Sequence, residues 1–230
     1  ASVELKNDKD VVLAAVKQNG AALLNASEEL RNDKEVVLAA VAQNGRVLEF
    51  ASEELRNDKE VVLAAVAQNG WALQFASAAL QNDKEVVLVA VAQNGYAVEA
   101  ASAQLQNDKD VVLAAVNNNW RALEFVVQNP PHDLIKDEAI ARLAMSKNNG
   151  AEIYIDPATY ESIIDQAKLT MAFKPSLPGD VGDNKDILTF AASHHFNKDD
   201  EGAGVRKRPV RSATARRMSK RRMSKRRMSK

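Results

Sequence analysis

Cysteine is missing from all 230 residues, which excludes disulfides, thiolate nucleophiles and cysteine-bound metals. Histidine occurs only three times. Two of these, His194 and His195, are adjacent, so on a helix they point about 100° apart and cannot share a metal as an i, i+4 pair does. The sequence has no glycine-rich phosphate loop, no HExxH and no nucleophile elbow. The acidic stretch from Gly179 to Asp186 lacks the Asp-x-Asp-x-Asp-Gly register of a calcium loop. These absences predict a protein that is not an enzyme, with no catalytic residues, metal site or cofactor. No apolar run approaches the roughly 20 residues of a membrane span, and the first residues show no secretory pattern. An intracellular location, cytoplasmic or nuclear, is the expectation. Aromatics are only 5% of the chain against 46% apolar residues overall, a balance that suits short, closely packed helices.

What the sequence has in excess is repetition. NDKEVVLAAVAQNG, from Asn32 to Gly45, has counterparts whose openings fall at Asn7, Asn32, Asn57, Asn82 and Asn107, a period of 25 residues. In the unit from Asn32 to Arg56, Asn32 and Glu35 have capping-box spacing, which predicts a helix start. Val36 to Val41 carry no polar residue, so this first helix needs neighbours on several sides. Asn44-Gly45 is expected to close it in the left-handed conformation. Arg46 to Arg56 then reads as one amphipathic surface helix, with Val47, Leu48, Ala51 and Leu55 on a stripe. The repeated Asp8, Asp33, Asp58, Asp83 and Asp108 read as helix-start residues favoured by the helix dipole. Helices of about 10 residues are marginal alone, so stability must come from stacking each unit on the next.

The phrase NDKEVVLAAVxQNGxALxxAS, as it stands from Ala1 to about Val127, resembles an uncharacterised family of domains of unknown function. The resemblance implies an α-helical repeat and carries no activity, cofactor or partner with it. The fold expected is all-α: an α-solenoid-like array of helical hairpins with a helical C-terminal cap and a disordered basic tail.

Residues 1–129 are read as five units plus a partial one. Ala1 to Leu5 align with Ala26 to Leu30, so the sequence opens inside a surface helix. That phase is expected of a fragment or processed product that has lost upstream repeats, or of a half-helix acting as a cap. The position after the glycine varies as Ala21, Arg46, Trp71, Tyr96 and Arg121, and the position four further on as Asn25, Phe50, Phe75, Ala100 and Phe125. If both lie on one α-helical face, Arg46, Phe50, Trp71, Phe75, Tyr96, Arg121 and Phe125 form a partner-binding row rich in hot-spot residue types. Ordinary core packing is the competing reading for the Phe residues, and less so for Trp71 and Tyr96. Trp120 replaces the glycine in the last unit, as expected of a terminal cap whose Asn119 takes the left-handed position. Residues 130–173 are read as a capping region with one helix from Asp133 to Lys147, a short extended segment at AEIYI, and a helix opening at Asp156-Pro157.

Residues 174–204 read as a Pro/Gly linker with one degenerate repeat helix, Asn184 to Ser193. Residues 205–230 form a low-complexity tail that ends in RRMSK three times. It holds 13 Lys/Arg and no acidic residue, so residues 1–204 carry 31 − 13 = 18 basic against 31 acidic groups. An acidic body thus continues into a cationic tail. Arg206, Lys207, Arg208 and Arg211 resemble a nuclear-localisation cluster. Together with Arg216, Arg217, Arg221, Arg222, Arg226 and Arg227 they are the expected contacts to an anionic partner, and Ser219, Ser224 and Ser229 sit in basophilic-kinase contexts. The competing reading is an expanded coding repeat with no role. The tail has no aromatic residue, so any nucleic-acid binding would be electrostatic and non-specific. The functions expected, in order, are a protein-interaction scaffold tethered by its tail, a protein that binds nucleic acid or another polyanion through that tail, and a structural part of a large assembly.

Overall fold

The computed structural model describes residues 2–128 and 133–173, and every regular element among them is helical. The second unit shows the pattern. An α-helix runs over Lys34–Gln43, a 3-10 helix over Gly45–Phe50, and a four-residue α-helix over Glu53–Arg56. The return limb is therefore not the single amphipathic α-helix expected from Arg46 to Arg56. Ala51 and Ser52 are extended, because the Ser52 hydroxyl caps the short helix by accepting from the Leu55 amide at 3.2 Å, a role serine favours over helix interior.

Two further expectations are corrected. Asp33, not Asn32, caps the long helix: its Oδ1 accepts from the amides of Glu35 and Val36 at 3.0 and 3.2 Å. Asn32 instead accepts, through Oδ1, a 2.5 Å bond from the Ser52 hydroxyl. The Asn-Gly pair does not turn left-handed. Asn44 is extended with φ −154°, and its side chain caps the 3-10 helix by accepting from the Arg46 amide. Asn119 does the same, with φ −148°. The glycine is needed for close approach: a Cβ on Gly20 or Gly95 would stand 2.5 Å from the carbonyl oxygen of Ala40 or Ala115 in the next unit.

Successive units are tied by ladders that use most letters of the repeat. The amides of Ser27, Ser52, Ser77 and Ser102 donate to carbonyls of the preceding unit at 2.8 to 3.0 Å. The amides of Gly45, Gly70 and Gly95 donate to the side-chain oxygens of Gln68, Gln93 and Asn118 in the following unit at 2.6 to 2.8 Å. Lys9, Lys34, Lys59 and Lys84 each reach two carboxylates of the following unit, as Lys34 does with Asp58 at 2.7 Å and Glu60 at 2.8 Å. Asp33, Asp58, Asp83 and Asp108 are thus helix caps and ion-pair partners at once. Between the ladders lies an apolar core, in which Val36, Val37, Ala40, Val41 and Leu48 are fully buried, as are their counterparts in the third unit. Each such valine or leucine contributes up to about 1.5 to 3 kcal/mol, which offsets the marginal stability of short helices.

Hydrogen bonds from the lysines of the preceding units hold the Asp33, Asp58 and Asp83 carboxyls below their ordinary value of 3.8. A depressed carboxyl stabilises the fold above its unfolded value and loses that contribution as pH falls through the folded one. The array should therefore keep its melting temperature from pH 7 to about 5 and lose it progressively below about pH 4. Thermal melts across that range, compared with a Lys34→Met/Lys59→Met variant, should show a shallower acid loss in the variant.

The region expected to be only a cap is a sixth, degenerate unit. Asp137 caps an α-helix over Glu138–Lys147, and Asn148 caps a 3-10 helix over Asn149–Tyr154. Lys109 pairs with Asp137 at 2.7 Å, and the Asp156 amide donates to the Ile135 carbonyl at 3.1 Å, both as in the regular ladders. A single helix over 133–147 is thus corrected to a 3-10 turn, Asp133–Lys136, followed by the capped helix. AEIYI is 3-10 rather than extended. In place of the four-residue helix stands one over Pro157–Phe173, whose Ile163, Ile164 and Ala167 bury against Ile140, Ala144 and Met145 and close the end of the core.

Candidate interaction surface

The 3-10 helices of successive units lie side by side, and the variable position after each glycine falls on them. A 3-10 helix has three residues per turn, so i and i+3 eclipse. Arg46 is therefore aligned with Glu49, Trp71 with Gln74 and Tyr96 with Glu99, which corrects the expected i, i+4 pairing of Arg46 with Phe50 and Trp71 with Phe75. Phe50, Phe75 and Phe125 turn toward the array and pack, partly buried, against its core. Arg46 and Arg121 are exposed, and Trp71 and Tyr96 are half-buried.

The rings meet across units. Trp71 and Tyr96 stand 6.5 Å apart at 17° between planes, and Tyr96 meets Phe125 edge-on at 6.0 Å. The Gln74 side chain donates to the Trp71 carbonyl at 3.1 Å. At the junction of the fifth and sixth units the Arg121 guanidinium lies 5.3 Å from the Trp120 ring centre, and Tyr154 lies 6.1 Å from that ring. Burial, and then the Glu124 carboxylate, push the Tyr154 hydroxyl above its ordinary value. Trp120, at the position glycine holds in the earlier units, packs partly buried against the apolar cluster of the sixth unit.

Charge on this face differs from that on the ladders. Glu35, Glu60 and Glu85 are each paired with a lysine. Glu49, Glu99 and Glu124 are exposed and make no ion pair among the described residues. Sequence reasoning missed Glu99, Glu124 and Tyr154. Glu99 needed a 3-10 register, Glu124 lies on the α-helix Leu123–Gln128 that follows the shortened 3-10 turn of the fifth unit, and Tyr154 needed recognition of the sixth unit. Among the described residues no group of three or more His, Asp and Glu is placed to hold a metal. No described helix is long and apolar enough to cross a membrane.

The tail residues Arg206, Lys207, Arg208, Arg211, Arg216, Arg217, Arg221, Arg222, Arg226 and Arg227 lie outside the described residues. So do Ser219, Ser224 and Ser229, the linker, the degenerate repeat helix at 184–193, and His194-His195.

The family model described as Domain of unknown function (DUF4116) matches five overlapping windows, residues 1–31, 8–56, 33–81, 58–106 and 83–126. The full windows each span about two structural units and step by one. No curated protein and no solved structure matches the chain.

Proposed function

The chain belongs to the DUF4116 family, and from that premise we propose that it is a non-enzymatic protein-interaction scaffold, cytoplasmic or nuclear, which presents the aromatic row of its 3-10 helices to a protein partner. The supporting observation is the stacked pair Trp71 and Tyr96 on adjacent 3-10 helices, with Phe125 meeting Tyr96 edge-on from the core side. Trp71 and Tyr96 are only partly buried on elements whose backbone is fixed by ladders on both sides. Large amphipathic rings on a rigid support lose little entropy on contact and dominate binding energy where they are desolvated. The cationic tail, by composition, suits tethering to an anionic surface.

Affinity capture with the full chain tests this reading. Proteins retained by the wild type should be lost by Trp71→Ala/Tyr96→Ala, while helicity is kept and melting falls by no more than about 12 °C, since the two ring contacts contribute about 0.5 to 1.5 kcal/mol each at roughly 2 to 4 °C per kcal/mol. Equal capture by both proteins would contradict it.

A further inference from the structure

Resting on that reading, we infer that the aromatic row takes an extended, arginine-bearing segment of the partner, with arginines at alternate positions. Ring spacing is the first observation. The Trp71 and Tyr96 centres, 6.5 Å apart, match the advance of two residues in an extended chain, about 6.4 to 6.8 Å. Alternate side chains of one segment would therefore meet Trp71 and Tyr96 in register.

Charge is the second. Glu99 lies one 3-10 turn beyond Tyr96, Glu124 occupies the corresponding place in the next unit, and both carboxylates are exposed and unpaired among the described residues. A ring with an unsatisfied carboxylate beside it favours a flat cation over a spherical one. A guanidinium lies on the ring face while its N–H fork reaches the carboxylate, whereas an ammonium group must choose. The third observation is local precedent: Arg121 already rests its guanidinium against Trp120 on this same face.

The probe is a fluorescein-labelled decapeptide of alternating Gly and Arg, titrated into the full chain and read by anisotropy. It should bind at least about threefold tighter than its Gly-Lys counterpart and tighter than an equally charged peptide with arginine at every third position. Tyr96→Ala should weaken it by about fivefold, and Glu99→Gln/Glu124→Gln should weaken it and flatten its salt dependence. Glu53→Gln/Glu54→Gln, remote from the row, should leave it unchanged. Equal binding of the lysine and arginine peptides, or loss only in the Glu53/Glu54 variant, would overturn the inference and indicate a merely electrostatic contact elsewhere. If no peptide binds while Trp71→Ala/Tyr96→Ala still loses its captured proteins, the scaffold reading stands and the arginine assignment falls.

Discussion

Gly45→Ala is expected to lower the melting temperature by about 5 to 10 °C, although it adds one methyl group. A Cβ at that position would collide with the carbonyl of Ala65 and sit 3.2 Å from the Asn69 Cβ, both in the following unit. Backbone on a packed helix cannot yield as a flexible side chain can. Overpacking of this kind costs about 1 to 3 kcal/mol, and in a chain of this size each kcal/mol moves the midpoint by roughly 2 to 4 °C. The reduced freedom of alanine in the unfolded chain returns only about 0.4 to 1 kcal/mol. Gly150→Ala provides the contrast. Its Cβ would meet only the Asn148 side chain at 3.0 Å and the Trp120 ring at 3.7 Å, so its midpoint should move by less than about 3 °C. Calorimetry of both variants checks this, and equal shifts would show that the glycines are kept for turn conformation instead.

Joining a second copy of Asn32 to Phe50 ahead of Ala1 should raise the midpoint by about 4 to 8 °C. The first described unit shows what a neighbour contributes. Val11 is 42% exposed and Leu5 47%, whereas Val36, Val61, Val86 and Val111 are at 0% and Leu30, Leu55, Leu80 and Leu105 at 5 to 8%. Asp8 and Asp10 stand where Asp33 and Glu35 receive Lys9, yet neither has a described ion-pair partner. The added residues combine with Ala1 to Lys6 into one whole unit whose copied lysine faces those two carboxylates. Covering two aliphatic side chains that are near half exposure contributes about 2 kcal/mol, which sets the expected rise at roughly 2 to 4 °C per kcal/mol. Amide exchange at Val11 and Val12 should slow in parallel. An unchanged midpoint with fast exchange there would mean that stacking is not the source of stability.

Much of this fold was legible because the repeat is written into the chemistry of its own interfaces. Asp33, Lys34, Gln43 and Gly45 recur because each meets an adjacent unit, so the 25-residue period and the helical class could be read directly. The choice between α and 3-10 in the return limb was not legible, since Val47, Leu48 and Ala51 satisfy either spacing until the Ser52 hydroxyl is seen to break the segment. That single ambiguity misassigned the row: with i+3 in place of i+4, Phe50 and Phe75 pack toward the core and Glu49 and Glu99 join the surface. Asn32 and Asp33 are both good caps, and only the bond from Ser52 to Asn32 within the unit shows which is spared for other work. The sixth unit escaped notice because 29 residues separate Asp108 from Asp137, and because Glu138 and Asn149 replace its lysine and glycine. Trp71 and Tyr96 stood out as the variable aromatic positions, but their contact along the array required three dimensions.

The most direct measurement is the affinity of a captured partner for the wild-type chain and for Trp71→Ala/Tyr96→Ala, taken alongside the melting temperatures of both. The expected result is a loss of at least about 30-fold, as for hot-spot aromatics costing 2 kcal/mol or more, with midpoints within about 12 °C. Unchanged affinity, or a loss matched by collapse of the midpoint, would contradict a scaffold that binds through its aromatic row.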